Sequence, residues 1–330
     1  MKVVVYGDRR RVGAIVGDTV VDLVSAVDRF DRRSVEPTTF NDLGRFIEGG
    51  TDALRTAEAA VKRVRTGEGA GHANVGKVSE VKLHAPQVPG ARIACAGANF
   101  KAHTDAMYAR NFAGAAAMAA NLASKPFIWG FWKVGREATA TGEDVIYPAR
   151  ATRLDYEGEI AIVLGRKGKD IAARELAQYV WGVTLFADWS VRAPREPAGP
   201  QTFSPQKNFD TSYSMGPCIV VGELDPMDIQ IQTFVNSECR QDFNTKEMTF
   251  SFGALLQHLS RDFTLHPGDV IASGTSEGTA ADSSDVLPDG TQPNDRFLKP
   301  GDLVTFKASG IGEITNRIVQ KPPRREAGDR

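Results

Sequence analysis

The sequence predicts an α+β chain, mainly β, in which a small N-terminal α+β domain precedes a larger strand-rich part. Three observations carry this. Short β-branched apolar runs recur between glycine-aspartate turns from Lys2 onward. Helical apolar spacing is concentrated before residue 67. After residue 140, strand-like runs far outnumber helical ones. The 330 residues, 42% hydrophobic and 25% charged, suffice to bury a large core in one or two domains.

Lys2–Tyr6, Val12–Val16 and Thr19–Asp22 are broken by Gly7-Asp8, Gly13 and Gly17-Asp18, which reads as a β-meander. Helices are expected over Thr39–Glu48, capped near Asn41-Asp42, and over Thr51–Thr66. The glycine-rich run from Gly67 to Asn74 reads as a linker, placing a boundary within residues 67–86. The expected division is 1–75, 76–320 and a disordered tail at 321–330. Arg92–Ala98 is a buried strand that opens into a loop bringing Asn99, His103 and Asp105 together. Ala113–Ala123 is alanine-rich and helix-prone. Ala172–Tyr179 reads as a short helix with Asp170 near its cap, and Phe252–Leu259 as another. Trp181–Asp188, Ile219–Val221, Ile229–Asn236 and Leu303–Ser309 read as strands.

Composition excludes several classes of function. A formal net charge of -1 gives no basis for a nucleic acid or membrane-surface partner. No apolar run approaches the ~18 residues of a membrane span, and the N-terminus lacks a signal-peptide core, so a cytoplasmic protein is expected. Cys95, Cys218 and Cys239 are too scattered for a zinc knuckle or a disulfide framework. No G-x-S-x-G elbow is present, and Gly310-Ile-Gly is too short for a dinucleotide loop.

The most informative stretch is Arg153–Gly165, where Asp155, Glu157 and Glu159 alternate before the apolar run Ile160–Leu164. On a strand such residues share a face, with alternate positions about 6.6 Å apart. Three like charges entering a core repel, and a hard dication with oxygen ligands, Mg2+ or Ca2+, removes that cost. The plainer reading is a solvated acidic edge strand; by spacing alone the three acids are equal candidates. Asp188 ends a second apolar strand, and two Glu with one Asp would leave positions open for water or substrate. Arg192 and Lys207 follow, cations able to stabilise a developing oxyanion, although a single basic residue is more often a surface charge. His103 is the best general-base candidate by residue type. His72, His84, His258 and His266 read as structural or solvated.

Taken together, the motifs make the chain resemble the fumarylacetoacetate hydrolase (FAH) family over about residues 90–320. The matching segments run in family order: Gly97-Ala-Asn-Phe-Lys-Ala-His, Phe131-Trp-Lys, Leu154-Asp-Tyr-Glu-Gly-Glu-Ile-Ala-Ile-Val-Leu-Gly, Asp188-Trp-Ser-Val-Arg192, Lys207-Asn-Phe-Asp and Met215-Gly-Pro. They continue with Val235-Asn-Ser-Glu-Cys-Arg-Gln, Asn244-Thr-Lys-Glu-Met, Leu265-His-Pro-Gly-Asp-Val-Ile, Ser273-Gly-Thr and Phe297-Leu-Lys-Pro-Gly-Asp. The resemblance implies an FAH-type mixed β-roll catalytic domain, an accessory N-terminal domain, a homodimer, and one Mg2+, Mn2+ or Ca2+. It implies Glu157, Glu159 and Asp188 as ligands, with Asp155 supporting them. Lys207 and Arg192 fall at the polar end of the substrate, with Asn99 and Thr275 lining its site.

Three departures from the family pattern stand out. The carboxylate expected three residues after the lid histidine is Ala106, leaving Asp105 as the nearest acid to orient His103. Arg195 stands where Gln is usual and suggests a second anionic group on the substrate. Gly274-Thr-Ser276 replaces Gly-Thr-Pro and leads into a polar insertion, Ala280 to Asp295. The leading expectation is a hydrolase cleaving a C–C bond in a 1,3-diketone or acylpyruvate-type 2-oxo acid, with His103 as base. The alternatives are a 2-oxo acid decarboxylase, isomerase or hydratase, and a catalytically silent binding relative.

Overall fold

The structure, a computed structural model, describes residues 1–30, 35–67, 70–109, 127–194, 203–285, 287 and 293–321. The expected helix at 113–123, Arg195, part of the 280–295 insertion and the tail beyond Lys321 lie outside them.

The N-terminal meander is as expected: β1 (Lys2–Tyr6), β2 (Arg11–Val16) and β3 (Thr19–Asp22). Helix α1 (Leu23–Phe30), which sequence spacing did not reveal, leads to α2 (Leu43–Glu48) and α3 (Gly50–Arg65). α2 is capped by Asp42, as expected, its side chain accepting the Arg45 N–H, while Pro37–Phe40 before it forms a separate 3-10 turn. The expected linker instead carries one helical turn, α4 (Ala70–Ala73), and β4 (Asn74–Lys77), which pairs with β3. Then come β5 (Leu83–His84), β6 (Ile93–Gly97), α5 (Lys101–Ala109) and β7 (Trp129–Lys133). The remaining strands are β8 (Asp144–Tyr147), β9 (Ala151–Asp155), β10 (Gly158–Leu164), β11 (Val180–Asp188), β12 (Ser190–Pro194), β13 (Tyr213–Val220), β14 (Gln230–Val235), β15 (Glu238–Asn244), β16 (Val270–Ala272), β17 (Leu303–Ala308) and β18 (Gly312–Gln320). Asp170 does not cap the helical turns at 173–179; its side chain accepts the Asp262 N–H instead.

Among the described residues the main sheet runs β4-β3-β2-β1-β13-β11-β10-β16-β6-β7, with β5 on β1. A five-stranded sheet runs β15-β14-β17-β18-β8, and β12 pairs with β9. The fold is α+β and mainly β, as the sequence predicts. No helix among the described residues is long and apolar enough to cross a membrane.

Strand β10 is buried along its whole length, and its alternation separates two cores. Ile160, Ile162 and Leu164 pack with Ile231, Val304, Phe306, Ile314 and Ile318 of the second sheet. Ala161 and Val163 face the opposite core, with Leu23, Phe40, Phe46, Ile47 and Val61 of the N-terminal helices. Phe46 meets Trp181 of β11 edge-on at 5.2 Å between centroids. Buried aromatic surface of this kind stabilises by roughly 3–5 kcal/mol per ring when judged by truncation. The central strands are thus held from both faces, which fixes the ends where the acids lie.

One expectation is corrected here. Asp155, Glu157 and Glu159 do not lie on a single continuous strand. Asp155 closes β9, Tyr156 and Glu157 form the link, and Glu159 lies in β10. The break arises because Asp155 turns to other partners: Tyr156 N–H, Ala280 N–H, Ala281 N–H and Arg192.

Candidate active site

Strands β10 and β11 are antiparallel, with Gly158 opposite Ala187 and Glu159 opposite Phe186. Continuing that ladder by one residue sets Asp188 against Glu157, and the Asp188 N–H donates to the Glu157 carbonyl at 2.9 Å. Glu159 is two residues along from Glu157, so its side chain projects to the same side. One carboxylate oxygen from each of the three acids lies within 4.8 Å of the others. All three residues are buried.

Two buried lysines and the partly buried Arg192 surround these acids. Lys207 Nζ donates to Glu157 Oε2 at 2.5 Å, Asp188 Oδ2 at 2.8 Å and Ser190 Oγ at 2.6 Å. Lys133 Nζ lies 2.5 Å from Asp188 Oδ1 and donates to the carbonyls of Lys207 and Ser212. Arg192 spans Asp155 through Nε and Glu157 through Nη2. The Phe131 ring lies beneath both lysine heads, 4.9 Å from Lys207 Nζ and 5.9 Å from Lys133 Nζ.

These charges push the acids apart in pKa. Burial raises the Glu157 carboxyl, but Lys207 and then Arg192 outweigh it and hold it well below the usual carboxylate range. Glu159 moves the other way. Burial first, then the charges of Asp188 and Glu157, raise it well above that range, only partly offset by Lys207 and the Gly274 N–H. For Lys207, burial disfavours the charge, yet Asp188 and Glu157 more than compensate and its pKa is raised.

The donor set fits a hard divalent cation. Fully ionised, Asp155, Glu157, Glu159 and Asp188 would carry one more charge than Lys133, Arg192 and Lys207 neutralise, an excess that the raised Glu159 carboxyl reflects and a bound dication would relieve. Asp188 Oδ1 receives no directed hydrogen bond, despite the nearby ammonium. The converging atoms are all carboxylate oxygens, the ligands Mg2+, Mn2+ and Ca2+ prefer.

His103 belongs to the same region, but its partner differs from the expectation. It sits on helix α5, not in a loop, and its Nδ1 lies 2.6 Å from Asp282 Oδ2. Asp105 points elsewhere: it is exposed and pairs with Lys101. The reason is helical geometry, since residues two apart lie on different faces while Lys101 and Asp105, four apart, are neighbours. Asp282 is buried in the short helix Ala280–Ser283, its Oδ1 accepting the Gly278 N–H at 3.0 Å.

Asn99 and Thr275 are buried and engaged within the protein. Asn99 donates to the carbonyls of Phe250 and Ser273 and accepts the Phe250 N–H. Thr275 donates to the Gly158 carbonyl and accepts from Gln241, which also binds the Gly158 N–H. These two brace the loop beside the acids. Arg195 is not described. Sequence reasoning quoted Lys133 and Gln241 inside motifs without giving them a role, and it missed Asp282. For Asp282 a signal existed: Thr279-Ala-Ala-Asp282 has capping-box spacing, and Thr279 does accept the Asp282 N–H.

Residues 92–319 match the family profile described as fumarylacetoacetate (FAA) hydrolase, C-terminal. Among curated proteins, the fumarylacetoacetate hydrolase domain-containing protein 2 homolog of Dictyostelium discoideum is 27% identical, covering 94% of this chain and 92% of its own. Oxaloacetate tautomerase YisK of Bacillus subtilis is 32% identical over 73% of this chain and 74% of its own. Among solved structures, maleylpyruvate hydrolase from Sphingobium sp. SYK-6, in complex with manganese(II) and pyruvate, shares the fold. It aligns with a TM-score of 0.70 and 22% identity, over 98% of this chain and 100% of that one.

Proposed function

The chain belongs to the fumarylacetoacetate hydrolase family, and on that premise we propose that it is a divalent-metal-dependent hydrolase of acylpyruvate-type 2-oxo acids. The family's members act on small-molecule acids. The observation that carries the hydrolase reading is the buried contact between His103 Nδ1 and Asp282 Oδ2. It restores the carboxylate partner that position 106 lacks.

A cation held by Glu157, Glu159 and Asp188, whether Mg2+, Mn2+ or Ca2+, supplies Lewis-acid polarisation of the substrate oxygens. Asp282 accepts the Nδ1 proton of His103 and so fixes the tautomer that leaves the Nε2 lone pair available. Nε2 takes a proton from water, and the resulting hydroxyl adds to the distal carbonyl carbon. Lys207 and Arg192 hold positive charge beside the oxyanion that forms. Collapse breaks the C–C bond, releasing a carboxylic acid, and the departing carbon receives the proton carried by His103. The second product is a pyruvate-type 2-oxo acid.

A second reading is enol–keto isomerisation of a 2-oxo acid. The 32% identity to an oxaloacetate tautomerase favours it, and it uses His103 only as a proton carrier. A panel of an acylpyruvate, oxaloacetate and a 2-hydroxydienoate, assayed with Mg2+ or Mn2+ and with EDTA, separates the two. The expected result is metal-dependent release of pyruvate from the acylpyruvate. Turnover of oxaloacetate alone sinks the hydrolase reading.

A further inference from the structure

Asp155 is fully buried, and it lies outside the converging triad. It nevertheless sits between the two halves of the site. On one side its Oδ2 accepts Arg192 Nε at 2.9 Å, and the other arm of that guanidinium grips Glu157 Oε1. On the other side Oδ1 accepts the Ala280 N–H at 2.7 Å and Oδ2 the Ala281 N–H at 3.2 Å. Ala281 immediately precedes Asp282, which holds His103. Three hydrogen-bonded links, through Arg192 and Asp155, therefore connect a triad acid to the helical turn that orients the base.

We infer that Asp155 is a positioning residue that couples the carboxylate triad to the His103–Asp282 pair, so that an ion bound at Glu157 orients His103 through Arg192, Asp155 and the 280–282 backbone. This rests on His103 being the working base, as proposed above. A purely structural acid would need only to satisfy the backbone N–H groups of Tyr156, Ala280 and Ala281. What distinguishes Asp155 is that the same carboxylate also receives the arginine already committed to Glu157. Breaking the link at either end should have the same effect. Asp155→Asn keeps the shape but sets an amide donor against either Arg192 or the backbone N–H groups. Ala280→Pro removes one of those N–H groups without altering any charged side chain, and proline is well tolerated at the first position of a helix.

The test has two readouts: Mn2+ affinity by electron paramagnetic resonance, and the downfield imidazole proton of His103 by NMR. In the full-length wild-type protein, adding Mg2+ should shift the His103 proton. In both variants Mn2+ should still bind within about threefold of wild type, the Mg2+-induced shift should vanish, and kcat should fall about tenfold or more with KM little changed. Two results overturn the inference: a His103 proton that still responds to Mg2+ in both variants, or an Mn2+ affinity that falls in step with kcat. The NMR readout needs no substrate, so a failed hydrolase assignment in the substrate panel leaves this coupling to be judged separately.

Discussion

His103 and Asp282 are 179 residues apart in sequence, yet their side chains meet at 2.6 Å in a buried contact. An imidazole acting as a base needs its far nitrogen protonated and pinned, which Asp282 does and an amide would do with the wrong polarity. Asp282→Asn is therefore expected to lower kcat by roughly 10²-fold or more with a modest change in KM. His103→Ala should do at least as much. Steady-state kinetics on an acylpyruvate decide it; undiminished hydrolysis by His103→Ala would remove the histidine from the mechanism.

The triad acids should separate in a thermal-melt experiment on the metal-free protein. Glu159 already resists ionisation, because burial and then Asp188 and Glu157 raise it. Glu159→Gln should cost the metal-free fold little while abolishing the stabilisation that added Mn2+ gives. Asp188→Asn leaves two buried lysines short of their counter-ion and should cost about 3–5 kcal/mol. Equal melting losses for the two variants would contradict the electrostatics drawn here.

Gly278 has φ +99°, and a Cβ there would lie 1.9 Å from the Arg240 carbonyl oxygen. Its N–H also holds Asp282 Oδ1. Gly278→Ala should destabilise by roughly 1–3 kcal/mol from backbone strain, more if the clash cannot relax. It should also lower kcat while leaving Mn2+ binding intact. Chemical denaturation and Mn2+ titration test the two halves.

Tyr213 stacks on Phe186 at 5.7 Å and donates to the Gly135 carbonyl. Burial pushes its hydroxyl up to about 12, against 10.0 for an ordinary tyrosine. Below pH 10 both folded and unfolded chains keep the proton, so stability is at its full value. Between about pH 10 and 12 only the unfolded chain releases it, and stability should fall by about 2–3 kcal/mol as pH rises. Tyr213→Phe should remove that share of the alkaline loss and leave the part due to Tyr6 and Tyr156, whose hydroxyls burial also raises. Denaturant midpoints over this range, beside a spectroscopic titration of tyrosinate, measure it.

The legible parts of the sequence were those where local chemistry and tertiary structure agree. The short apolar runs at 2–22 and 181–188 were legible as strands to within a residue or so, because turn chemistry and burial point the same way there. Alternation and a charged strand end pointed to this cluster of acids, but only the family resemblance singled out Glu157, Glu159 and Asp188 as the converging set. Asp155 could not be separated from them by spacing. Its divergence is caused by backbone donors at Ala280 and Ala281, over 120 residues away. The partner of His103 was hidden for the same reason: sequence proximity favoured Asp105, and only the packing of the 280–283 turn against α5 brings Asp282 to the ring. Lys133 was concealed by type, since a lysine at the end of an aromatic edge strand ordinarily points to water.

Strand β1 is seated between β2 and β13, with Lys2 opposite both Ile15 and Val220. During synthesis β1 can meet β2 almost at once, and β5 follows to pair with Val5 and Tyr6, but β13, the partner of Lys2 and Val3, is made more than 200 residues later. At ~5–20 residues per second that interval is roughly 10–40 s. For that time the Lys2–Val3 stretch of one edge of β1 is an open template for wrong pairing. β13 also flanks β11, which carries Asp188. Folding of the site must therefore wait on a late, long-range strand insertion, and such contacts are the slow ones to form. A pulse of limited proteolysis on stalled nascent chains would find the meander protected early and Asp188 protected only after β13 has emerged.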